Sequence, residues 1–468
     1  MNLRLIFAVI SSACWSAFQH GYNTGVLNAP QNVMMEWLKN DALPSANGTD
    51  VSQSQVTTVW SIAVSIYCVG GMIGGVITGV VADRFGRKGG LLLNNVFVFA
   101  AAIMEGMAKT ASSSELLILG RLLLGINSGL NASLAPMYLA EISPISLRGS
   151  IGTVYQLVIT ITILLSQGLG LGSVLGTSDG WPYLLSLTAI PAILQCIMLP
   201  LCPESPKYLL LGKGQELEAQ RALNWLRGDV AVHGEMEEMH QEAEKNKISK
   251  KATFREMVSN RSLRQPLLIA TVVMASQQLT GINAVMFYST EIFRNGGLSD
   301  INSQYATLGM GGMNVLMTFV SLILVEKAGR KTLLLAGFCG MFITTILLTV
   351  AQIFVGSYNF VAILCIVLII LFVMMFAAGP GSIPWFLVTE LFNQSTRPAA
   401  SSVAVTVNWT ANFLVGLTFP ILYQGLGPYV FVIFAVLQAL FILFIFAKVP
   451  ETKNKTTEEI TAMFRQRM

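Results

Sequence analysis

Hydrophobic segments long enough to cross a lipid bilayer recur along nearly the whole chain and constrain its fold more than any other feature. About 20 apolar residues form a helix that crosses the hydrocarbon core, and about twelve such segments are present. Backbone polar groups must be hydrogen-bonded inside lipid, so these segments are expected to be helices. The sequence therefore predicts an all-α membrane protein with spans near 4–27, 56–80, 90–108, 115–139, 149–173, 182–202, 266–290, 303–325, 332–355, 358–388, 399–423 and 427–448.

The composition excludes several classes of function. Only 12% of the 468 residues are charged, against about 25% in a typical soluble chain. The surface of the protein is therefore predicted to contact mainly lipid. The net charge of +4 is small and placed at span ends, which argues against a nucleic-acid partner. The six cysteines lie in or beside apolar segments and have no metal-ligand spacing. With no nucleophile-and-base pair either, the sequence predicts no enzyme activity, no metal and no cofactor.

The two halves of the chain repeat one another. Glu141 and Arg148 follow the fourth span, and Glu390 and Arg397 follow the tenth with the same spacing. Two six-span halves with matched loops are typical of a two-lobed carrier. The predicted domains are a first bundle over 1–202, a helical linker over 203–265, a second bundle over 266–448 and a tail over 449–468.

Lysine and arginine side chains set the predicted orientation. They concentrate in the loops that follow the even-numbered spans, in the linker and in the tail, so this side is expected to be cytoplasmic, with both termini. Asn47, in the sequence Asn-Gly-Thr, then falls in the largest outer loop and is the predicted glycosylation site.

Charges at the cytoplasmic ends of the spans predict a latch. Carboxylates and guanidiniums at matched positions can pair between the two halves and close one face, and exposed pairs are weak enough to open again. The alternative, that the charges only set the topology, suffices for Lys327 and Lys331. The predicted gate residues are Arg87, Glu141, Arg148, Glu204, Glu326, Arg330, Glu390, Arg397 and Glu451.

An amide-rich segment in the seventh span predicts a polar ligand at mid-membrane. Gln277, Gln278 and Asn283 stand in a sequence that is otherwise apolar, and amides in hydrocarbon must find partners. On an ideal helix one stripe contains Gln277, Thr280, Ala284 and Tyr288. Asn283 lies roughly a third of a turn from it. Gly281 is where a bend would let all three amides reach one cavity. The alternative is that the amides only join helices to one another.

Glycines and prolines mark two further places. Gly71, Gly75 and Gly79 recur every fourth residue and predict close approach of another helix, with no ligand assigned. The segment Gly379–Trp385, GPGSIPW, predicts an interrupted span with Trp385 at the hinge of a moving half-helix.

Many motifs together give the chain a specific resemblance over nearly all its length. They are GYNTGVLNAP at 21–30, DRFGRK at 83–88, GRLLLGINSG at 120–129, PMYLAEISP at 136–144, LRG at 147–149, PESPK at 203–207, QQLTGINAV at 277–285, GPGSIPWF at 379–386, NWTANF at 408–413 and VPETK at 449–453. The chain resembles the sugar-porter branch of the major facilitator superfamily, most closely the animal facilitative glucose transporters. The resemblance implies the major facilitator fold and a hexose substrate held between two lobes.

The resemblance also implies the substrate contacts, mostly in the second half of the chain. Amides suit sugar hydroxyls because both groups donate and accept hydrogen bonds, and neutral side chains suit a neutral ligand. His20 is added because it replaces an aromatic residue close to the sugar. The predicted substrate-binding residues are His20, Gln156, Gln277, Gln278, Asn283, Asn314, Trp385, Trp409 and Asn412.

Asn23 decides the predicted mechanism. Related proton-coupled symporters carry Asp at this position, and Asn cannot bind and release a proton at physiological pH, so a passive uniporter is expected. Glu36, Glu105 and Glu291 lie near outer ends of spans rather than at their centres. The alternatives are a proton-coupled sugar symporter, with His20 as the titrating group; a sugar receptor that does not transport; and, least favoured, a membrane enzyme.

Departures from the family pattern leave the preferred hexose partly open. Met274-Ala275-Ser276 stands where glucose-selective members typically read QLS, and Ala377 replaces a glutamate that is frequent in them. Trp385 and its segment match the glucose-type pattern. We expect glucose as the main substrate, with galactose or fructose in addition, and a plasma-membrane location; the sequence leaves the oligomeric state open.

Overall fold

The structure is a computed structural model that describes residues 2–43, 51–248, 254–285, 293 and 298–467. Regular structure in these ranges is helical, apart from an isolated bridge between Val355 and Tyr358. The α-helices are α1 (Leu3–Val9), α2 (Trp15–Gly25), α3 (Gln31–Trp37), α4 (Gln53–Ala108), α5 (Ser114–Ile142), α6 (Arg148–Leu169), α7 (Trp181–Ser186), α8 (Ala189–Met198), α9 (Glu216–Leu226), α10 (His233–Ile248), α11 (Phe254–Ser259), α12 (Arg261–Leu279), α13 (Asp300–Ala328), α14 (Arg330–Ile353), α15 (Asn359–Ala378), α16 (Ile383–Glu390), α17 (Arg397–Leu426), α18 (Val430–Lys448) and α19 (Thr457–Gln466).

The predicted spans correspond to these helices. Ten helical segments within the described ranges are long and apolar enough to cross a membrane. One of them, α4, accounts for two predicted spans. The first predicted span falls outside the ten because a π-helical turn, Ile10–Cys14, separates α1 from α2. The chain is therefore a multi-pass membrane protein. The predicted glycosylation site, Asn47, lies outside the described residues.

The second and third spans differ from the expected pair of helices with a loop between them. Helix α4 has 56 residues. At 1.5 Å per residue it would be about 84 Å long, far more than one bilayer crossing of about 30 Å. Gly86 divides it, with φ 78° and ψ −178°. This left-handed φ favours glycine because a side chain would clash with the backbone. A single residue therefore makes the turn that the sequence placed in a loop.

The seventh span bends where the sequence predicted. Helix α12 ends at Leu279, Gly281 has φ 87°, and the chain is helical again over 282–285. The ideal-helix stripe that was expected to continue past Thr280 is therefore interrupted. A Cβ on Gly281 would lie 2.8 Å from the ring of Phe434, so the bend also lets α18 pack closely.

The tenth span is interrupted as predicted. Helix α15 ends at Ala378 and α16 begins at Ile383, with Gly379–Ser382 between them. A Cβ on Gly379 would lie 2.3 Å from the backbone oxygen of Leu333, so α14 contacts the break directly. Trp385 stands in the first turn of α16, at the hinge position expected for it.

The chain forms two compact units. Unit 1 comprises Met1–Ile142, Ile161–Lys251 and Gln394–Trp409, and unit 2 comprises Ser143–Thr160, Ala252–Asn393 and Thr410–Met468. The core of unit 1 includes Trp37 and Trp181, and the core of unit 2 includes a group of phenylalanines. Within unit 1 the linker forms helices α9 and α10, as predicted, and packs through its own small apolar cluster. The domain boundaries proposed from the sequence remain a prediction.

Replacing Gly281 by alanine should destabilise the protein. The substitution would force a side chain into a left-handed φ and against the Phe434 ring, at an expected cost of about 2 kcal/mol or more in the free energy of unfolding. Gly312→Ala is the matched control, because a Cβ there meets nothing within 4 Å inside α13. Alanine at that position should stabilise the helix by roughly 0.5–1 kcal/mol. Thermal unfolding of the purified variants measures both, and equal unfolding temperatures would contradict the analysis.

Candidate functional site

Three amides of unit 2 form a hydrogen-bonded cluster. The Asn283 side-chain nitrogen donates to the Gln278 amide oxygen at 2.8 Å and to the Asn412 amide oxygen at 3.0 Å. The bend at Gly281 separates Gln278 from Asn283 along the chain, and α17 supplies Asn412. Because each amide can both donate and accept, the cluster offers hydrogen-bonding groups of both kinds without a net charge.

Gln277 has a different partner from the other two amides of its segment. Its side-chain nitrogen donates to the backbone oxygens of Pro380 at 3.2 Å and Gly381 at 2.8 Å. These carbonyls belong to the break between α15 and α16, where helical hydrogen bonding is lost. Gln277 therefore joins the seventh span to the interrupted tenth span, in line with the alternative that amides of this segment hold helices together.

Gln156 and Trp385 bond directly to each other in unit 2. The Trp385 indole N–H donates to the Gln156 amide oxygen at 2.9 Å, and both side chains are buried. The Tyr155 ring lies edge-on to the indole, 6.0 Å away between centroids. This hydrogen bond fixes the orientation of the tryptophan at the start of α16.

Asn314 contributes a buried acceptor on α13. Its side-chain oxygen is inaccessible to solvent and has no hydrogen-bond partner among the described residues. Buried polar atoms in proteins almost always have a partner, in the protein or in a bound molecule. The atom is therefore suited to accept a hydrogen bond from a ligand or an ordered water.

Two predicted substrate residues of unit 1 have rings that lie close together at a tilt of 32°. The rings of His20 on α2 and Trp409 on α17 are 5.4 Å apart, and Tyr67 lies edge-on to the same indole at 5.5 Å. A Cβ on Gly71 would lie 2.2 Å from the Trp409 ring, so the predicted close approach at this glycine is confirmed. The Trp409 N–H is buried and has no partner within the described residues.

Asn23, the residue that decides between coupling mechanisms, is fully buried in unit 1. Its side-chain nitrogen donates to the Gln19 backbone oxygen and to the Thr188 hydroxyl, each at 2.9 Å. Its backbone oxygen accepts a bond from Arg121 at 2.8 Å. These contacts hold in place a neutral amide, which cannot bind and release a proton at physiological pH.

In unit 1 one buried carboxylate binds two guanidiniums. The Glu141 carboxylate lies 2.9 Å from Arg87 and 2.9 Å from Arg397, and none of the three side chains is more than 3% exposed. Arg87 also donates to Gln394 at 3.2 Å, and the Ser205 hydroxyl donates to Glu141. Arg397 comes from the second half of the sequence, so this cluster joins the two halves within one unit.

Unit 2 contains the matching arrangement. The Glu390 carboxylate lies 2.6 Å from Arg148 and 3.1 Å from Arg330. Arg148 comes from the first half of the sequence and also donates to the Lys455 backbone oxygen at 2.9 Å. Glu326 accepts a bond from the Ser150 backbone N–H at 2.9 Å. Each of the two carboxylates thus has one arginine from its own half and one from the other half.

Glu204 and Glu451 bind backbone amides. Glu204 accepts from the N–H groups of Arg87 at 3.1 Å and Lys88 at 2.9 Å, directly after the turn at Gly86. Glu451 accepts from the N–H groups of the equivalent Arg330 and Lys331. A carboxylate at a helix N-terminus pairs groups that the helix leaves without a partner. Burial nevertheless raises the pKa of the Glu204 carboxyl, despite three backbone N–H bonds that lower it.

Sequence reasoning missed the neutral members of these clusters. Gln394 and Ser205 support the Glu141 cluster, and Gln438 donates from α18 to the Thr280 backbone oxygen at 2.8 Å beside the bend. The only signal was position: Gln394 lies three residues before Arg397, and Ser205 directly follows Glu204.

Known proteins resemble this chain over its full length. The family model of sugar (and other) transporters matches residues 9–464. Facilitated glucose transporter member 1 of Gallus gallus is 45% identical over 466 residues, which cover 100% of this chain and 94% of the relative. Member 3 of Ovis aries is 46% identical over 460 residues, covering 98% and 92%.

A solved structure agrees with these relatives. The proton:xylose symporter XylE of E. coli, bound to 6-bromo-6-deoxy-D-glucose, has a TM-score of 0.86 and 26% identity. The match covers 99% of this chain and 100% of the other. The predicted all-α major facilitator fold is confirmed.

Removing the charge of Glu390 should destabilise the protein strongly. Glu390→Gln leaves the buried Arg148 guanidinium without its carboxylate partner and Arg330 with only the longer 3.7 Å contact to Glu326. Breaking a buried ion pair costs about 3–5 kcal/mol. The control is Asp229→Asn, because Asp229 pairs with Arg4 at 2.9 Å while their side chains are 68% and 43% exposed. That change should stay below about 1 kcal/mol. Unfolding of the purified variants in detergent measures both losses in the free energy of unfolding. Similar losses in Glu390→Gln and Asp229→Asn would contradict the expected difference.

Proposed function

The chain belongs to the sugar transporter family, among the facilitated glucose transporters, and on that premise we propose that it moves D-glucose passively across a membrane. The observation that carries this proposal is the full-length similarity to transporters of that name, at 45–46% identity. Such a protein is a uniporter, driven by the sugar gradient, and it is not an enzyme. Galactose or fructose is proposed as an additional substrate.

The amide cluster is the proposed centre of sugar binding. Gln278, Asn283 and Asn412 carry no charge, and they satisfy one another through hydrogen bonds that a sugar hydroxyl can replace. The unpartnered Asn314 oxygen suits a hydroxyl donor, and the unpartnered Trp409 N–H suits a hydroxyl acceptor. The proposed substrate-binding set is completed by His20, Gln156, Gln277 and Trp385.

Uniport is supported by Asn23. The symporter XylE is less similar to this chain, at 26% identity, than the facilitated transporters are. The Asn23 side chain donates to two neutral groups, the Gln19 backbone oxygen and the Thr188 hydroxyl. A neutral amide cannot carry the proton that a symporter must move with each sugar.

The two carboxylate clusters are the proposed cytoplasmic gate. Glu141 and Glu390 each bind an arginine from the other half of the sequence, so these ion pairs can form only when residues of both halves meet. Opening the gate exposes the charges to water, where an ion pair contributes little, and the exchange need not be costly. The gate includes the amide-binding carboxylates Glu204 and Glu451, together with Glu326.

The orientation of the protein, its glycosylation and its plasma-membrane location are proposed as well. The concentration of lysine and arginine places both termini in the cytoplasm, and Asn47 would then be glycosylated on the outer side. A glycosylated sugar carrier of this kind is proposed to reside in the plasma membrane.

Uptake by purified protein in sealed liposomes tests the function. We expect saturable entry of D-glucose but not L-glucose, ending at equal concentrations on both sides whether or not a proton gradient is imposed. Accumulation above the outside concentration under that gradient would instead establish a symporter. Binding of sugar without any uptake would establish a receptor, and faster entry of fructose would reverse the order of substrates.

Asn283→Ala tests the binding site. The change removes the donor shared by Gln278 and Asn412, and losing one or two hydrogen bonds to a sugar should raise the half-saturating glucose concentration about tenfold. Gln352→Ala is the control, because this amide lies on α14 and has no assigned role in binding. Equilibrium exchange of labelled glucose measures both, and an unchanged half-saturation in Asn283→Ala would exclude the cluster from binding.

A further inference from the structure

A carboxylate with no assigned part in transport is buried in unit 1. Glu105 lies on α4, three residues before the helix ends at Ala108, near the outer end of the third predicted span. Its position near a span end favours contact with water, but its side chain is 0% exposed. Both carboxyl oxygens are buried and have no hydrogen-bond partner in the part of the chain that the structure describes.

Within the described part of the chain, Arg121 is the cation that interacts with Glu105. Helix α5 presses its backbone against the carboxylate, since a Cβ on Gly120 would lie 2.6 Å from the Glu105 Cγ. The same helix places Arg121 within electrostatic range. Helix α2 contributes Tyr22, whose hydroxyl donates to the backbone oxygen of Leu184. The helices α7 and α8 carry no ionisable side chain apart from Tyr183 and Cys196.

Arg121 is bonded to other groups. Its Nη1 donates to the Asn23 backbone oxygen at 2.8 Å, and its guanidinium lies over the Tyr67 ring at 4.5 Å. Tyr67 and Cys68, on the first part of α4, are the remaining ionisable groups that interact with it. Its Nε is buried and has no hydrogen-bond partner in the described ranges. This Nε–H is therefore available to a new acceptor within the described part of the chain.

We propose that Glu105 is a proton-binding site whose occupancy controls the rate of glucose transport. A buried carboxylate without hydrogen bonds is costly when ionised, so the arrangement described is that of the neutral acid. When the proton leaves to water, only an O–H bond breaks, and the new carboxylate needs a donor. The Arg121 Nε–H, which has no partner among the described residues, is the cationic donor that would turn toward the new carboxylate. That movement would disturb the hydrogen bond from Nη1 to the Asn23 backbone oxygen.

The connection to transport runs through α2. Asn23 lies on this helix, three residues after His20, so a change at Asn23 reaches a helix with a proposed substrate contact. This inference rests on the proposed function only because glucose transport is the activity that is measured. A protein that exchanges glucose equally at every pH keeps the uniport proposal and loses this one.

Equilibrium exchange of labelled D-glucose, with the same pH on both faces of the liposome, tests the proposal. We expect the wild-type rate to change by about threefold or more, with one titration, between about pH 5.5 and about pH 8.5. Glu105→Gln mimics the neutral acid and should give a flat profile close to the low-pH wild-type rate. Glu115→Gln is the control, because Glu115 is exposed on α5, and it should keep the wild-type profile.

Infrared spectroscopy of the wild-type protein supplies a second readout that does not depend on a variant folding. A protonated buried carboxylic acid has its own carbonyl band, and we expect that band to disappear with the same titration as the change in transport rate. A flat wild-type pH profile, an unaltered profile in Glu105→Gln, or the absence of a titrating acid band would each overturn the proposal.

Discussion

The cost of placing polar groups where water cannot reach them governs this structure. The backbone lowers this cost by forming helices, and the side chains lower it by forming hydrogen bonds and ion pairs. Glu141 and Glu390 show the requirement most clearly, because a single guanidinium would leave part of each carboxylate unpaired. Each instead binds two arginines, and neutral groups such as Ser205 complete the set around Glu141.

Interruptions of the helices obey the same requirement. The break between α15 and α16 releases backbone carbonyls, and Gln277 donates to two of them. The bend at Gly281 is supported by Gln438, which donates to the Thr280 carbonyl. A polar side chain in a span can thus hydrogen-bond the backbone as well as a ligand. Gln277 bonds the backbone in this structure, and its contact with a sugar remains a proposal.

Most of the fold could be predicted from the sequence because its determinants are local. Length and hydrophobicity fix the spans. Glycine alone marks the bend at Gly281, and glycine with proline marks the break at Gly379–Ser382. The contact partners of a buried side chain, in contrast, are not determined by its neighbours in the sequence. Nothing near Trp385 in the sequence indicates that its N–H donates to Gln156, and nothing near Glu105 indicates that Gly120 and Arg121 enclose it. The turn at Gly86 was missed because a loop and a single left-handed glycine have similar local sequences.

The exchange of arginines between the sequence halves has a consequence for biosynthesis. Arg397 is 256 residues beyond Glu141, its partner in unit 1. At 5–20 residues per second, the ribosome needs roughly 10 to 50 seconds to cover that distance. Until then Glu141 can pair with Arg87 but not with Arg397. Every span of the first half has already been made by that time. The first half therefore cannot reach its final packing while it leaves the ribosome, and its last step of assembly must wait for the eleventh span.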